Sequence, residues 1–229
     1  MDNNSNNFSS FIEDWFHRQS TFLYELNRAE ESSRNSEETE IRSLVDRVLA
    51  HYQQYFEEKS RMAHRNVFIM FSPPWFTPLE KALLWIAGFK PGMAFTLLET
   101  SVNDLSRNQR QRINELKNEV KFQERELYGQ YARIQETVAA PPLAELARGS
   151  SLAMQMNNNR RVDSVLEPLS VEMENLLSEA DSLRITTAES VVEILTPLQK
   201  VRYLAAAAEL QIGVRSMGLQ RQDAENGGW

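Results

Sequence analysis

From Phe76 to Phe89 the chain reads Phe-Thr-Pro-Leu-Glu-Lys-Ala-Leu-Leu-Trp-Ile-Ala-Gly-Phe, a short element with both of its ends marked. Thr77 is an N-cap residue, Pro78 suits the first helical position where no amide partner is needed, and Glu80 stands where a capping box requires it. Gly88 supplies the expected stop. The residues between are apolar nearly all round, which a helix tolerates only when neighbours cover most of its surface. The spacing therefore predicts a short buried helix over about 78–87, around which longer helices pack. The chain enters it through Ser72-Pro73-Pro74-Trp75-Phe76 and leaves through Lys90-Pro91-Gly92, both rigid corners.

The flanking segments are amphipathic. Residues 9–28 place Phe11, Ile12, Trp15, Phe16, Phe22, Leu23 and Leu26 at helical spacing, and Ile41, Leu44, Val45, Val48, Leu49, Tyr52, Tyr55, Phe56 and Met62 mark a second face that extends to about Phe71. A short helix is expected near 93–98. The longest periodic run is 105–138, where Ile113, Leu116, Val120, Leu127, Tyr131 and Ile134 form a near-heptad seam that needs a partner helix, inside or outside the chain. Pro141-Pro142 ends it, and residues 141–163 form the expected flexible connection. Helix resumes at 165–183. Thr186-Thr187-Ala188-Glu189 reads as a second capping box, and Thr196-Pro197-Leu198-Gln199 opens a final Ala-rich helix to about Ile212. The fold class is all-α, a single helical-bundle domain over 9–218, with a disordered segment at 1–8 and a frayed tail at 219–229.

Composition removes several functions. The 229 residues contain no cysteine, which excludes disulfides, thiolate catalysis and Cys-type zinc sites. A net charge of -7 disfavours nucleic-acid binding. No stretch approaches the roughly 18 apolar residues of a membrane span. His17, His51 and His64 lack metal-ligand spacing, and no Gly-rich phosphate loop occurs. Adjacent carboxylates such as Glu57-Glu58 point apart on a helix and read as solvated faces. Arg107, Arg110, Arg112, Lys117, Lys121 and Arg125 intermix with Glu115, Glu119, Glu124 and Glu126, so that stretch reads as an exposed helix with intrahelical ion pairs. No catalytic, cofactor or metal residues are assigned, and no enzyme is expected. Trp15, Trp75, Phe76 and Trp85 are the candidate core or pocket aromatics.

Phe11-Ile12-Glu13-Asp14-Trp15, the run from Ile41 to Tyr52, residues 59–63 and above all the run from Trp75 to Phe89 resemble the DELAY OF GERMINATION domain. This plant module also forms the C-terminal half of TGA-type bZIP transcription factors. The resemblance covers nearly the whole chain and rests on a specific combination: a Trp, a Thr-Pro-x-Glu cap and a Trp-x-x-Gly-Phe ending in one short element.

The resemblance implies a non-enzymatic regulator in abscisic acid, seed germination and dormancy, or salt-stress signalling, placed in the nucleus, the cytoplasm or both. It would act through a protein partner: a phosphatase, a transcription factor or a co-regulator, with a homo- or heterodimer open. The long seam from Ile113 to Val138 and the aromatic first helix are the candidate contact surfaces. The bZIP relatives carry a basic region before this domain, whereas here the domain begins almost at Met1, so DNA contact is not carried over. In the member that names the family the last helix bears a haem-associated histidine pair; Gln211 and Arg215 align there, so no cofactor is carried over. The alternative is a small-molecule or lipid sensor that uses an apolar pocket of the same helices.

Overall fold

The computed structural model describes residues 3–32, 38–140 and 155–226, and within them the chain forms eight helices and no strand. These are α1 Asn3–Glu31, α2 Glu38–Arg65, α3 Val67–Phe71, α4 Pro78–Ala82, α5 Met93–Ser101, α6 Arg107–Ala139, α7 Gln155–Ile194 and α8 Pro197–Asn226. The fold class is all-α. Helical backbone reaches further than expected at both ends, and residues 141–154 of the expected connection lie outside the described residues.

The organising element is α8 rather than the short helix. It packs along α1 and also meets α2, α4 and α5, while α6 packs along α7. Its composition explains this. Ala205 and Ala208 are buried beside Val201, Tyr203, Leu204 and Val214, so several helices can approach its axis closely. At its far end Gly218 abuts α4, where an added Cβ would lie 2.1 Å from Thr77 Oγ1.

The helix expected over 78–87 is shorter. The capping box forms as read, with Thr77 N–H donating to Glu80 Oε2 at 2.7 Å and Glu80 N–H to Thr77 Oγ1 at 3.2 Å. Helix then ends at Ala82, and a tight turn follows, closed by reciprocal backbone bonds between Trp85 and Gly88 of 2.7 and 3.2 Å. The left-handed residues are Ile86 (φ 43°) and Ala87 (φ 56°), not Gly88. Both are buried, whereas Leu83 is exposed and Trp85 half-buried. The apolar run is thus divided between a turn that points inward and a helix that faces outward in part.

One further boundary differs. Thr186 and Thr187 do not open a helix, because their hydroxyls donate back to the carbonyls of Ser182 and Leu183 at 2.9 and 2.6 Å and α7 runs through. Between α6, α7 and α8 the caps interlock. Ser106 and Gln109 form a capping box, Gln109 Nε2 donates to Ile194 O and Gln199 Oε1 at 2.8 Å each, and Thr196 N donates to Gln199 Oε1 at 3.0 Å.

Candidate functional site

α2 and α7 meet only lightly, and the space between them is a groove of about 1180 Å³, backed by α8 and closed at one end by residues 84–94. Trp15 and Phe16 of α1, Tyr55 and Phe56 of α2, and Phe76 and Phe89 from the connecting segments line it. Leu177 comes from α7, and Leu204, Leu210 and Val214 come from α8.

Its floor carries buried charge. Lys59 Nζ donates to Asp181 Oδ1 at 2.7 Å, and the guanidinium of Arg184 donates to the same oxygen. Lys59 and Asp181 are 3% and 13% exposed in their side chains, so this is an ion triad largely removed from water. Burial pushes the Lys59 ammonium down to about 8, an effect that Asp181 opposes. The same cause, burial opposed by Asp181, lowers Arg184. Arg184 also holds the turn: its Nε donates to Phe89 O at 2.7 Å, Nη2 donates to Trp85 O and to Ile86 O at 2.8 Å, and the group lies 5.4 Å from the Trp85 ring centroid. Two residues at positive φ are thereby fixed by one side chain from α7.

A second polar cluster joins α1, α2 and α8. Gln19, fully buried, donates to Tyr52 Oη at 2.6 Å and Gln211 Oε1 at 2.7 Å, and Tyr52 donates to Gln211 at 3.0 Å. Trp15 Nε1 donates to His51 O at 3.2 Å, and the two rings stack at 4.6 Å. Burial first and the nearby Arg18 second bring His51 down to about 4, and its Nε2 has no hydrogen-bond partner among the described residues. Arg215 donates to Trp75 O at 3.2 Å and to Glu80 at 3.3 Å and lies over the Phe16 ring at 4.7 Å. Gln211 and Arg215, the positions aligned with the haem-associated pair, thus both make contacts within the bundle.

The candidate aromatics divide. Trp15 and Phe76 line the groove, Trp75 packs on Phe8 at 4.7 Å in a second core cluster, and Trp85 sits against Arg184. The seam finds its partner inside the chain: Ile113, Val120, Leu127 and Ile134 are buried and Leu116 and Tyr131 half-buried, on the helix that packs along α7. The intrahelical ion pairs expected on this helix are replaced by links to other segments. Lys117 pairs with Glu99 at 2.7 Å, and Glu124 is turned inward, accepting from Gly92 N at 2.6 Å and pairing with Lys90 at 3.4 Å. Sequence reading missed the triad. The available signal was that Lys59 falls on the apolar face shared by Tyr52, Tyr55, Phe56, Met62 and Ala63, where a charge needs a partner.

Together these features define an all-α domain with an aromatic groove and a polar, ion-paired floor. A family model described as DOG1, seed dormancy control, matches residues 23–100, from within α1 to α5. Over 219 residues the chain is 37% identical to Protein ZW2 of Arabidopsis thaliana, covering 94% of this chain and 97% of the relative. It is likewise 37% identical over 224 residues to Protein RESPONSE TO ABA AND SALT 1 of Arabidopsis thaliana, covering 95% and 97%. Transcription factor TGA2.3 of Oryza sativa subsp. japonica is 27% identical over 203 residues, which is 89% of this chain and 61% of the factor. The chain belongs to the DOG1 family of plant regulatory proteins. Among the described residues no helix is long and apolar enough to cross a membrane.

Proposed function

We propose that this protein is a non-enzymatic regulator in abscisic acid, germination or salt-stress signalling that acts by binding another protein in the nucleus or cytoplasm. The observation that carries this reading is the end-to-end similarity to RESPONSE TO ABA AND SALT 1, whose name states its response. One helical module over 9–218 performs the role. Because α7 takes up the seam of α6, the contact surface is assigned to the outer face of α6, where Phe122 and Tyr128 are 63% and 62% exposed beside Lys121 and Arg125. The partner is a phosphatase, a transcription factor or a co-regulator, and DNA is not contacted directly, since a net charge of -7 opposes the phosphate neutralisation that DNA binding requires. Plants that overproduce the chain should germinate differently from controls on abscisic acid or salt. Unchanged germination on both would overturn the proposal.

The groove supports a second reading, a small-molecule sensor, in which Trp15 and Phe76 contact a ligand. Its volume suits a small organic molecule. Partner binding would then depend on the ligand.

A further inference from the structure

Positive charge exceeds negative charge on the groove floor. Lys59 and Arg184 share the one carboxylate of Asp181, while the next pair, Glu80 and Arg215 at 3.3 Å, balances itself. Tyr55, the other titratable group against this cluster, is held neutral by burial. The guanidinium of Arg184 is committed to four hydrogen bonds, three of them to the turn. Lys59 is different. Its ammonium has three donors, its one hydrogen bond among the described residues goes to Asp181, and it lines the open groove. An uncompensated cation removed from water is costly and is relieved by an anion that reaches it.

The groove's shape and rim narrow the class of anion. Eight aromatic side chains line the groove, and the Phe56 ring lies 6.0 Å from Lys59 Nζ, which favours flat ring faces over a flexible chain that would lose rotamer freedom on binding. Asp46, Glu57, Glu174 and Glu189 on the rim outnumber Arg61 and Lys90, so a multiply charged anion would be repelled on entry. We propose that the groove between α2 and α7 binds a ring-bearing monocarboxylic acid, with the carboxylate on Lys59 and the apolar body among the aromatic side chains. This rests on the sensor reading of the groove.

A matched pair of fluorescent probes tests it: 1-pyrenebutyrate and the uncharged 1-pyrenebutanol, titrated against the full chain by fluorescence anisotropy. The acid should bind about tenfold or more tightly than the alcohol, as one added charge-assisted hydrogen bond implies. Lys59→Met should remove that preference while alcohol binding persists, and the remaining Asp181 and Arg184 form a neutral pair that lets the variant fold. In the wild-type protein the preference should shrink as pH rises from about 7 to about 10, because Lys59, packed against Asp181, Arg184 and Tyr55 and brought down to about 8 by burial, then gives up its proton. Equal binding of the two probes by the wild-type protein, or an acid preference that survives Lys59→Met, overturns the carboxylate assignment alone. Failure of both probes to bind overturns the sensor reading beneath it.

Discussion

Arg184 occupies the space that a side chain on residue 88 would need: a Cβ added to Gly88 would lie 2.7 Å from its Cζ and 2.8 Å from its Nε. The glycine therefore serves close approach, and the strained conformations fall instead on Ile86 and Ala87, each at a cost on the order of 1 kcal/mol. Gly88→Ala should displace the guanidinium from the turn carbonyls and lower stability by about 2 to 4 kcal/mol. Gly213 is the internal control. It lies within α8 with nothing inside 4 Å of an added Cβ, so Gly213→Ala should stabilise by about 0.5 to 1 kcal/mol. Urea unfolding of the two variants checks both signs; equal effects would remove the role assigned to Arg184.

The ion triad responds unequally to loss of its members. Asp181→Asn leaves Lys59 and Arg184 as two buried like charges, whereas Lys59→Met leaves a neutral pair. The first change should cost about 3 to 5 kcal/mol and the second far less. The sign with pH follows from Lys59 in the wild-type protein. Its folded value, about 8, lies below the unfolded 10.5, so Lys59 by itself adds stability as pH rises through that window, opposed toward the upper end by Tyr52, Tyr55 and Tyr203, which burial raises. Asp181→Asn removes the carboxylate that holds the Lys59 value up, so its recovery with rising pH should begin below about 8 and continue into that window. Thermal melts over that range that show no recovery would remove Lys59 from the account.

His51 sets a dependence on the acid side. Its folded value, about 4, lies below the unfolded 6.5, so the unfolded state takes up the proton first as pH falls through that interval. Stability from this group is whole above the unfolded value and declines by about 3 kcal/mol on approaching the folded one. His51→Phe keeps the stacking surface for Trp15 and removes the titration. Its melting temperature should fall less between those two values than that of the wild-type protein, as measured by circular dichroism.

How much of this was legible in the sequence depended on whether local chemistry or distant packing decided each element. The Thr77–Glu80 capping box and the Thr196 start of α8 are local, and helical periodicity alone marked the faces of α1, α2 and α6. The turn at 83–88 was not legible, because it depends on Arg184, about a hundred residues away in sequence and unrelated to it by any spacing. The hub was misplaced for a related reason. An all-apolar run suggests burial from every side, yet Ala-rich α8 meets more helices because small side chains admit closer neighbours. Of the candidate core or pocket aromatics, Trp15 and Phe76 reach the groove, Trp75 packs against a core cluster and Trp85 against Arg184, a division that helical spacing alone does not decide.

The two faces of α6 differ in burial, and the proposed contact lies on the exposed one. Leu127 is 5% exposed and belongs to the core shared with α7, so Leu127→Ala should cost about 2 to 5 kcal/mol and weaken partner binding only as far as it unfolds the chain. Lys121 and Arg125 lie exposed with Tyr128 on the outer face, and reversing both to Glu should change stability by no more than about 0.5 kcal/mol. If recognition uses that outer face, the doubly reversed protein should melt with the wild type and still recover much less partner from plant extract, as compared by quantitative mass spectrometry of parallel affinity captures. A protein recovered equally by both baits would not use this face, and a partner lost from Leu127→Ala well below its melting temperature would place recognition back on the seam.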